Sequence, residues 1–255
     1  LAEKVGQPIP IAKGADKPIV MEPNGVSDYV HGVEGFGTMD AQPIKSKPLK
    51  EPAHEFICRI INENPGEIIL CPIGPLTNIA LALEHDPTIA TKTKAVYIMG
   101  GGLNKGNVTE FAEANIWNDP HAADAVFAAN WVVTMVGLDV TTRVQCIPAD
   151  FVQLAVSSPV IGGFLNEAVQ FYMDFYATHY GKRGCDMHDP TAIIAITDPQ
   201  YFTIETHALE VIVDGARVGQ TLRSTNPLRL KHKVPMVVDA QGVKQRFLSI
   251  IETGF

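Results

Sequence analysis

The sequence predicts an open, mostly parallel α/β sheet with helices on both faces, and three observations point there. Apolar strands of the buried parallel kind stand at residues 67–71, 95–99 and 131–136. Each runs into a glycine-rich or polar turn and then an amphipathic helix. The unit recurs at intervals of roughly 30–40 residues, the rhythm of βαβ units. At 255 residues, 46% hydrophobic and 19% charged, the chain has ample apolar material for one core. No stretch reads as an interdomain linker, so residues 1–255 are expected to form a single domain.

In chain order, residues 1–5 read as a helix end, 8–12 as a strand and 14–18 as a turn. Residues 21–52 hold no sustained period but many Gly, Pro, Asp and Ser, including His31-Gly-Val-Glu-Gly-Phe-Gly37. Glycine at that density lets a loop fold over something. A helix is expected over 51–63, with Phe56, Ile57, Ile60 and Ile61 on one side. The strand at 67–71 leads through Pro72-Ile-Gly-Pro75 into a helix ending near His85. The strand at 95–99 stops at Gly100-Gly-Gly102. After a long polar connection, Asn118-Asp-Pro120 opens a helix over 120–130, with Asp119 as N-cap and Pro120 in its first turn. Helices follow at 148–157, 161–178 and from His188-Asp-Pro190, where Asp189 reads as N-cap. Residues 208–222 suggest two antiparallel strands, and 234–238 and 242–251 close the chain as strand and helix. The whole is Rossmann-like. In such sheets ligands sit beyond the carboxyl ends of the strands, so the turns at 73–74, 99–100 and 139–142 belong on one rim.

Composition excludes some partners. Net charge is −8 and the basic clusters, Lys45-Ser-Lys47 and residues 229–233, are short and broken, which argues against nucleic acid. No apolar run approaches the roughly 18 residues of a membrane span, and no signal-peptide pattern is present. Cys58, Cys71, Cys146 and Cys185 lack metal-type spacing; reduced structural thiols in a cytoplasmic protein are the expectation.

The chemistry is expected on the connection after the glycines. The pattern G-G-G-x-x-x-G-N lacks both the helix that follows a dinucleotide fingerprint and the Lys-Ser/Thr pair of a P-loop. A dinucleotide-dependent oxidoreductase is therefore poorly supported. Asn107, Glu113 and Asn115 together offer one carboxylate and two carboxamides, an inventory that grips vicinal hydroxyls or caps the loop's own backbone. His188 is either a site residue or a surface residue beside a cap. Asp189 could be an oxygen ligand for a hard cation, although one carboxylate makes no site. His31 reads as a lid residue or an exposed loop histidine. Tyr172, Tyr176 and Tyr180 fall at i, i+4, i+8, either core packing or a substrate wall.

Taken together, Met99-Gly-Gly101 and Asn107-Val-Thr-x-x-Ala-Glu113-x-Asn115-Ile-Trp-x-Asp-Pro-x-Ala-Ala123 resemble the central motif of the inosine-uridine-preferring nucleoside hydrolases. Val30-His-Gly-Val-Glu-Gly-Phe-Gly37, Pro72-Ile-Gly-Pro-Leu-Thr-Asn-Ile-Ala80, Gly137-Leu-Asp-Val-Thr141 and His188-Asp-Pro190 are similar to that family's other motifs, in the same order. The resemblance implies hydrolysis of the N-glycosidic bond of ribonucleosides to ribose and free base through a calcium-activated water. It implies ribose contacts from Asn107, Glu113 and Asn115, with Met99 beneath the sugar. It makes Asp189 and the Ile73 carbonyl Ca²⁺ ligands and His188 the proton donor to the leaving base. His31, Tyr176 and Tyr180 would wall the base, and the protein would be a homodimer or homotetramer.

One departure stands out. The family's Asp-x-Asp-Pro-Gly-x-Asp-Asp motif, which carries most of the calcium carboxylates and the general-base aspartate, has no counterpart here. The chain begins Leu1-Ala-Glu-Lys4, and the expectation is a domain lacking its first βα unit, with an incomplete calcium site. Smaller departures are Ala114, where an aromatic usually follows the glutamate, and Glu110 in place of a common proline. The alternative to a hydrolase is a truncated or degenerate homologue that binds ribosides without cleaving them.

Overall fold

A computed structural model describes residues 2–40 and 44–253 of the chain. In order, the elements are α1 (Ala2–Val5), α2 (Asp28–His31), α3 (Ala53–Glu63), β1 (Ile69–Leu70), α4 (Thr77–His85), α5 (Ile89–Lys92), β2 (Ala95–Met99), α6 (Ala114–Asn118) and α7 (Pro120–Ala128). They continue with β3 (Val133–Val136), α8 (Leu138–Thr141), β4 (Gln145–Cys146), α9 (Pro148–Ser157), α10 (Ile161–Tyr180), β5 (Cys185–Asp186) and α11 (His188–Thr197). Then come β6 (Phe202–Val211), β7 (Thr221–Arg223), β8 (Lys231–Val238) and α12 (Ala240–Thr253). Leu1, the first residue of the expected helix end, lies outside the described residues.

The alternation of side chains along a strand makes two faces and hence two helical layers. On β2, Val96 and Ile98 pack with Val133 and Met135 of β3 beneath α3, α4 and α7. Met99, Tyr97 and Val136 point the other way, against Ala192 and Ala195 of α11. Beyond α11, a further apolar cluster joins Phe151 and Leu154 of α9, Met173 of α10 and Val243 and Ile251 of α12.

The sheet order is β1-β2-β3-β8-β6-β7. The first four strands run parallel, and β6 and β7 are antiparallel additions. The last strand of the sequence thus lies inside the sheet, between β3 and β6. Pro235 sits within it, a poor residue for a central strand; a register shift opposite, between Thr203 and Ile204, accommodates it. β4 and β5 form a separate two-stranded ribbon in which Cys146 faces Cys185. All four cysteines are free, as the sequence suggested.

Several expectations need correction. Residues 8–12 form no strand: Pro8 and Pro10 remove two ladder donors, Ile9 and Ile11 stay exposed, and pairing is limited to a bond from Leu49 N to Ile11 O (2.7 Å) and the isolated bridge from Lys13 to Pro52. The expected strand at 67–71 shrinks to two residues at the sheet edge, where Ile69 is 37% exposed, so only half of its apolar run is covered. Asp189 is not a cap. Met187 holds that position, and Asp189 lies in the first turn of α11 with its carboxylate free of the backbone. Among the described residues no helix is long and apolar enough to cross a membrane.

Candidate active site

Three backbone amides converge on one carboxylate oxygen. Glu113 is the N-cap of α6, and its Oε2 accepts hydrogen bonds from Asn115 N (3.0 Å), Ile116 N (3.2 Å) and Gly101 N (2.9 Å). The Gly101 amide reaches it because the chain turns at φ +74°, where a Cβ would also lie 2.9 Å from Thr221 Oγ1. Glu113 is 3% exposed, and burial pushes its pKa up to about 7 against the pull of those three bonds. The other oxygen, Oε1, has no partner among the described residues and is left to the cavity that the residue lines.

The two amide side chains beside it are divided in the same way. Asn107 Oδ1 accepts from Ala114 N at 2.9 Å, which leaves its Nδ2. Asn115 Nδ2 donates to Met99 O at 3.0 Å and lies 3.4 Å from Ile73 O, which leaves its Oδ1. Backbone capping and ligand gripping are thus not alternatives here. One atom of each side chain fixes the loop, and the remaining donor and two acceptors face outward, a set suited to adjacent hydroxyls. Met99 lies beneath, 3% exposed, with its sulfur 3.3 Å from Asn115 Nδ2.

At the other end, His188 opens α11. Its Nδ1 is 2.8 Å from Thr141 Oγ1 and its Nε2 is 3.4 Å from Tyr176 Oη. Burial, followed by the charges of His31 and Lys105, lowers its pKa to about 4, so the ring is neutral near pH 7. Tyr172 Oη donates to Tyr176 Oη at 3.2 Å, and the Tyr176 and Tyr180 rings lie 5.1 Å apart. The tyrosine stripe is therefore a wall, half-buried against the helix layer and half-open to the cavity. The glycine-rich loop rests on it. His31 lies 5.2 Å from the Tyr172 ring, and Gly37 approaches Phe171 so closely that a Cβ would come within 2.7 Å.

All eleven candidate site residues named from the sequence, His31, Ile73, Met99, Asn107, Glu113, Asn115, Tyr172, Tyr176, Tyr180, His188 and Asp189, line one cavity of about 840 Å³. Of the residues that position them, the sequence marked Asp119 as a cap and the turn at 139–142 as part of the rim, but not the long-range bonds that these carboxylates make. Asp139 accepts from Leu103 N (2.8 Å) and from Asn104 Nδ2, tying the glycine turn to the end of β3. Asp119 is fully buried and accepts from Thr77 Oγ1 (2.6 Å), Ile19 N (3.0 Å) and Ala122 N (3.0 Å). A carboxylate following the apolar run 131–138 was the available signal for Asp139. Nothing in the sequence marked Lys105 or Asp186, whose place depends on how two loops meet.

The oxygen donors at this end fall short of what a calcium ion needs. Asp189 supplies one carboxylate, raised to about 6 by burial, and Ile73 one carbonyl. A hard divalent cation takes six to eight oxygens. Among the described residues no group of three or more His, Cys, Asp or Glu side chains is placed to hold a metal ion. The residues present therefore do not fit a complete calcium site.

The profile of the inosine-uridine preferring nucleoside hydrolases matches residues 1–247. The probable uridine nucleosidase 1 of Oryza sativa subsp. japonica is 38% identical over 224 residues, which cover 87% of this chain and 69% of that protein. The inosine-uridine preferring nucleoside hydrolase of Crithidia fasciculata is 34% identical over 228 residues, 88% of this chain and 72% of that one. Among solved structures, the plant nucleoside hydrolase PpNRh1 superposes with a TM-score of 0.91 at 32% identity, covering 98% of this chain and 82% of that one. The purine-preferring ribonucleoside hydrolase from Gardnerella vaginalis gives 0.93 at 30% identity, covering 99% and 83%. With a match across nearly its whole length and the same motifs gathered around one cavity, the chain belongs to the inosine-uridine preferring nucleoside hydrolase family.

Proposed function

We propose that the cavity takes a ribonucleoside, with ribose at the Glu113 end and the base toward His188, and that the N-glycosidic bond is hydrolysed there. Water adds to C1′ of the ribose, the C1′–N bond breaks, and the base leaves with its electron pair and takes up a proton. The transition state is oxocarbenium-like, as in other glycoside chemistry. The observation that carries the reading is the Glu113 cluster: a buried carboxylate with one oxygen fixed by three amides and the other presented to the cavity.

Each residue then has a role in this proposal. Glu113 Oε1, Asn115 Oδ1 and Asn107 Nδ2 hold the ribose hydroxyls, and Met99 supports the sugar from below. Glu113 also places negative charge where positive charge develops on the ring. His188, oriented by Thr141 and Tyr176, passes a proton to the departing base; its low pKa makes the imidazolium a strong acid but a scarce one at neutrality. His31, Tyr176 and Tyr180 cover the base. Asp189 and the Ile73 carbonyl stand where the family resemblance puts metal ligands, and no step is routed through a metal, because the donor set falls short.

That shortfall supports a second reading, a riboside-binding protein without turnover. Uridine and inosine incubated with the protein, once with Ca²⁺ and once with a chelator, separate the two. Stoichiometric release of ribose and base supports hydrolysis. Riboside binding without release in either condition supports the second reading, and absence of both binding and release overturns the assignment of the cavity to nucleosides. The Glu113→Ala variant is expected to lose at least about tenfold in riboside affinity, since two or more hydrogen bonds to a charged group are removed.

A further inference from the structure

Lys105 is an exposed cation at the mouth of this cavity. It stands on the connection between β2 and α6 and lines the cavity, yet its ammonium has no hydrogen-bond or ion-pair partner among the described residues. The backbone on either side is fixed. Leu103 N and Asn104 Nδ2 bond to Asp139, Gly106 N to Glu110 O (3.0 Å) and Asn107 N to Ala112 O (3.0 Å). Gly102 lets the Lys105 carbonyl come close, where a Cβ would meet it at 2.8 Å. A flexible side chain therefore projects from a rigid anchor.

Its neighbours at that end are otherwise occupied. Asp186 is held by Gln145 Nε2 at 2.8 Å, and Arg183 is bound to Asp174 (3.0 Å) and Gln170 (2.8 Å). The charge of Lys105 is felt at both Asp186 and His188, which places it at the base end of the cavity.

We propose that Lys105 is a specificity-determining residue that stabilises the negative charge building on the carbonyl oxygens of the departing base, favouring oxo bases over amino bases. The proposal rests on the nucleoside reading of the cavity. As the C1′–N bond breaks, both electrons remain on the base. In uracil or hypoxanthine that charge spreads onto carbonyl oxygens within reach of a cation; adenine has none to offer.

Equilibrium binding tests it without requiring turnover. The probes are uracil, adenine, uridine and 5-nitrouracil, an acidified uracil that is anionic at neutral pH, read by calorimetry and by absorbance of the nitro chromophore. Lys105→Met is expected to weaken 5-nitrouracil by about three- to fivefold, the size of one charge-assisted contact from an exposed side chain. Adenine affinity should not change, which also checks the fold. Lys105→Arg should restore 5-nitrouracil binding, and Lys182→Met, which removes another lysine of the lining, should leave it unaltered. Equal 5-nitrouracil affinity in wild type and Lys105→Met, or an equal loss in Lys182→Met, overturns the assignment of Lys105 and leaves the nucleoside reading standing. Absence of binding of every probe to the wild type overturns both.

Discussion

Glu113 carries opposing demands in one side chain. Burial favours its neutral form, three amides favour its ionised form, and burial prevails, so it titrates near pH 7. Because its folded pKa lies above the ordinary carboxylate value, the folded state binds the proton more tightly than the unfolded chain does. Its contribution to stability is therefore full below about pH 4.5 and is lost as pH rises through about 7. Replacing Glu113 with Gln removes that titration. Urea midpoints at pH 5 and pH 8 should fall with pH in the wild type by more than in Glu113→Gln, the difference being about 2–3 kcal/mol. Parallel midpoints for the two proteins would show that the carboxylate is ionised throughout. His188 works in the opposite direction: its depressed pKa means stability rises as pH climbs from about 4 toward its ordinary value. The two must be separated by single variants.

Asp119 does for a pair of elements what Glu113 does for the loop. As N-cap of α7 it satisfies Ala122 N, and its second oxygen binds Thr77 in α4 and the Ile19 amide of the amino-terminal segment. Three separate parts of the chain meet on one buried carboxylate. Asp119→Ala is expected to destabilise by about 2–4 kcal/mol, the loss of a cap plus buried groups left unpaired. Asp119→Asn, which retains a cap acceptor, should recover part of that. Thermal unfolding of the three proteins checks the order, and an Asn variant no better than Ala would mean that the links to Thr77 and Ile19, and not the cap, hold the site.

Across the molecule, the sheet depends on a crossing that brings the last strand beside β3. His232 sits there, fully buried, with Nε2 donating to Phe127 O (2.9 Å) and Nδ1 accepting from Val133 N (3.2 Å). This pairing needs the neutral ring, and burial lowers its pKa accordingly. A folded pKa below the ordinary one gives stability that is present above about pH 6.5 and lost as pH falls through the folded value. His232→Leu is expected to lose roughly 2–3 kcal/mol at neutral pH, because two buried backbone groups lose their partners. Its stability should also depend less on pH below 6.5 than that of the wild type. Chemical denaturation at pH 5 and pH 7.5 measures both, and a variant as stable as the wild type would show that the β3–β8 contact holds without the histidine.

The rhythm of apolar runs and turn residues determined the α/β class, and the strand at 95–99, the helix at 148–157 and the Asp119 cap follow from local chemistry alone. The polar connection after the glycines stood out in the sequence as a candidate site, and its Asn107, Glu113 and Asn115 line one cavity with the other candidates. Tertiary structure decided the rest. Asp189 reads as a cap beside a proline, yet the turn of α11 begins two residues earlier and leaves its carboxylate to the cavity. Residues 8–12 look like a strand, but they join no sheet and Ile9 and Ile11 stay exposed. The place of β8 inside the sheet and the charge of Lys105 beside Asp186 and His188 arise from segments far apart in sequence. Local propensity is written in neighbouring residues, whereas burial, pKa and the sharing of one cavity depend on which distant surfaces exclude water from each other.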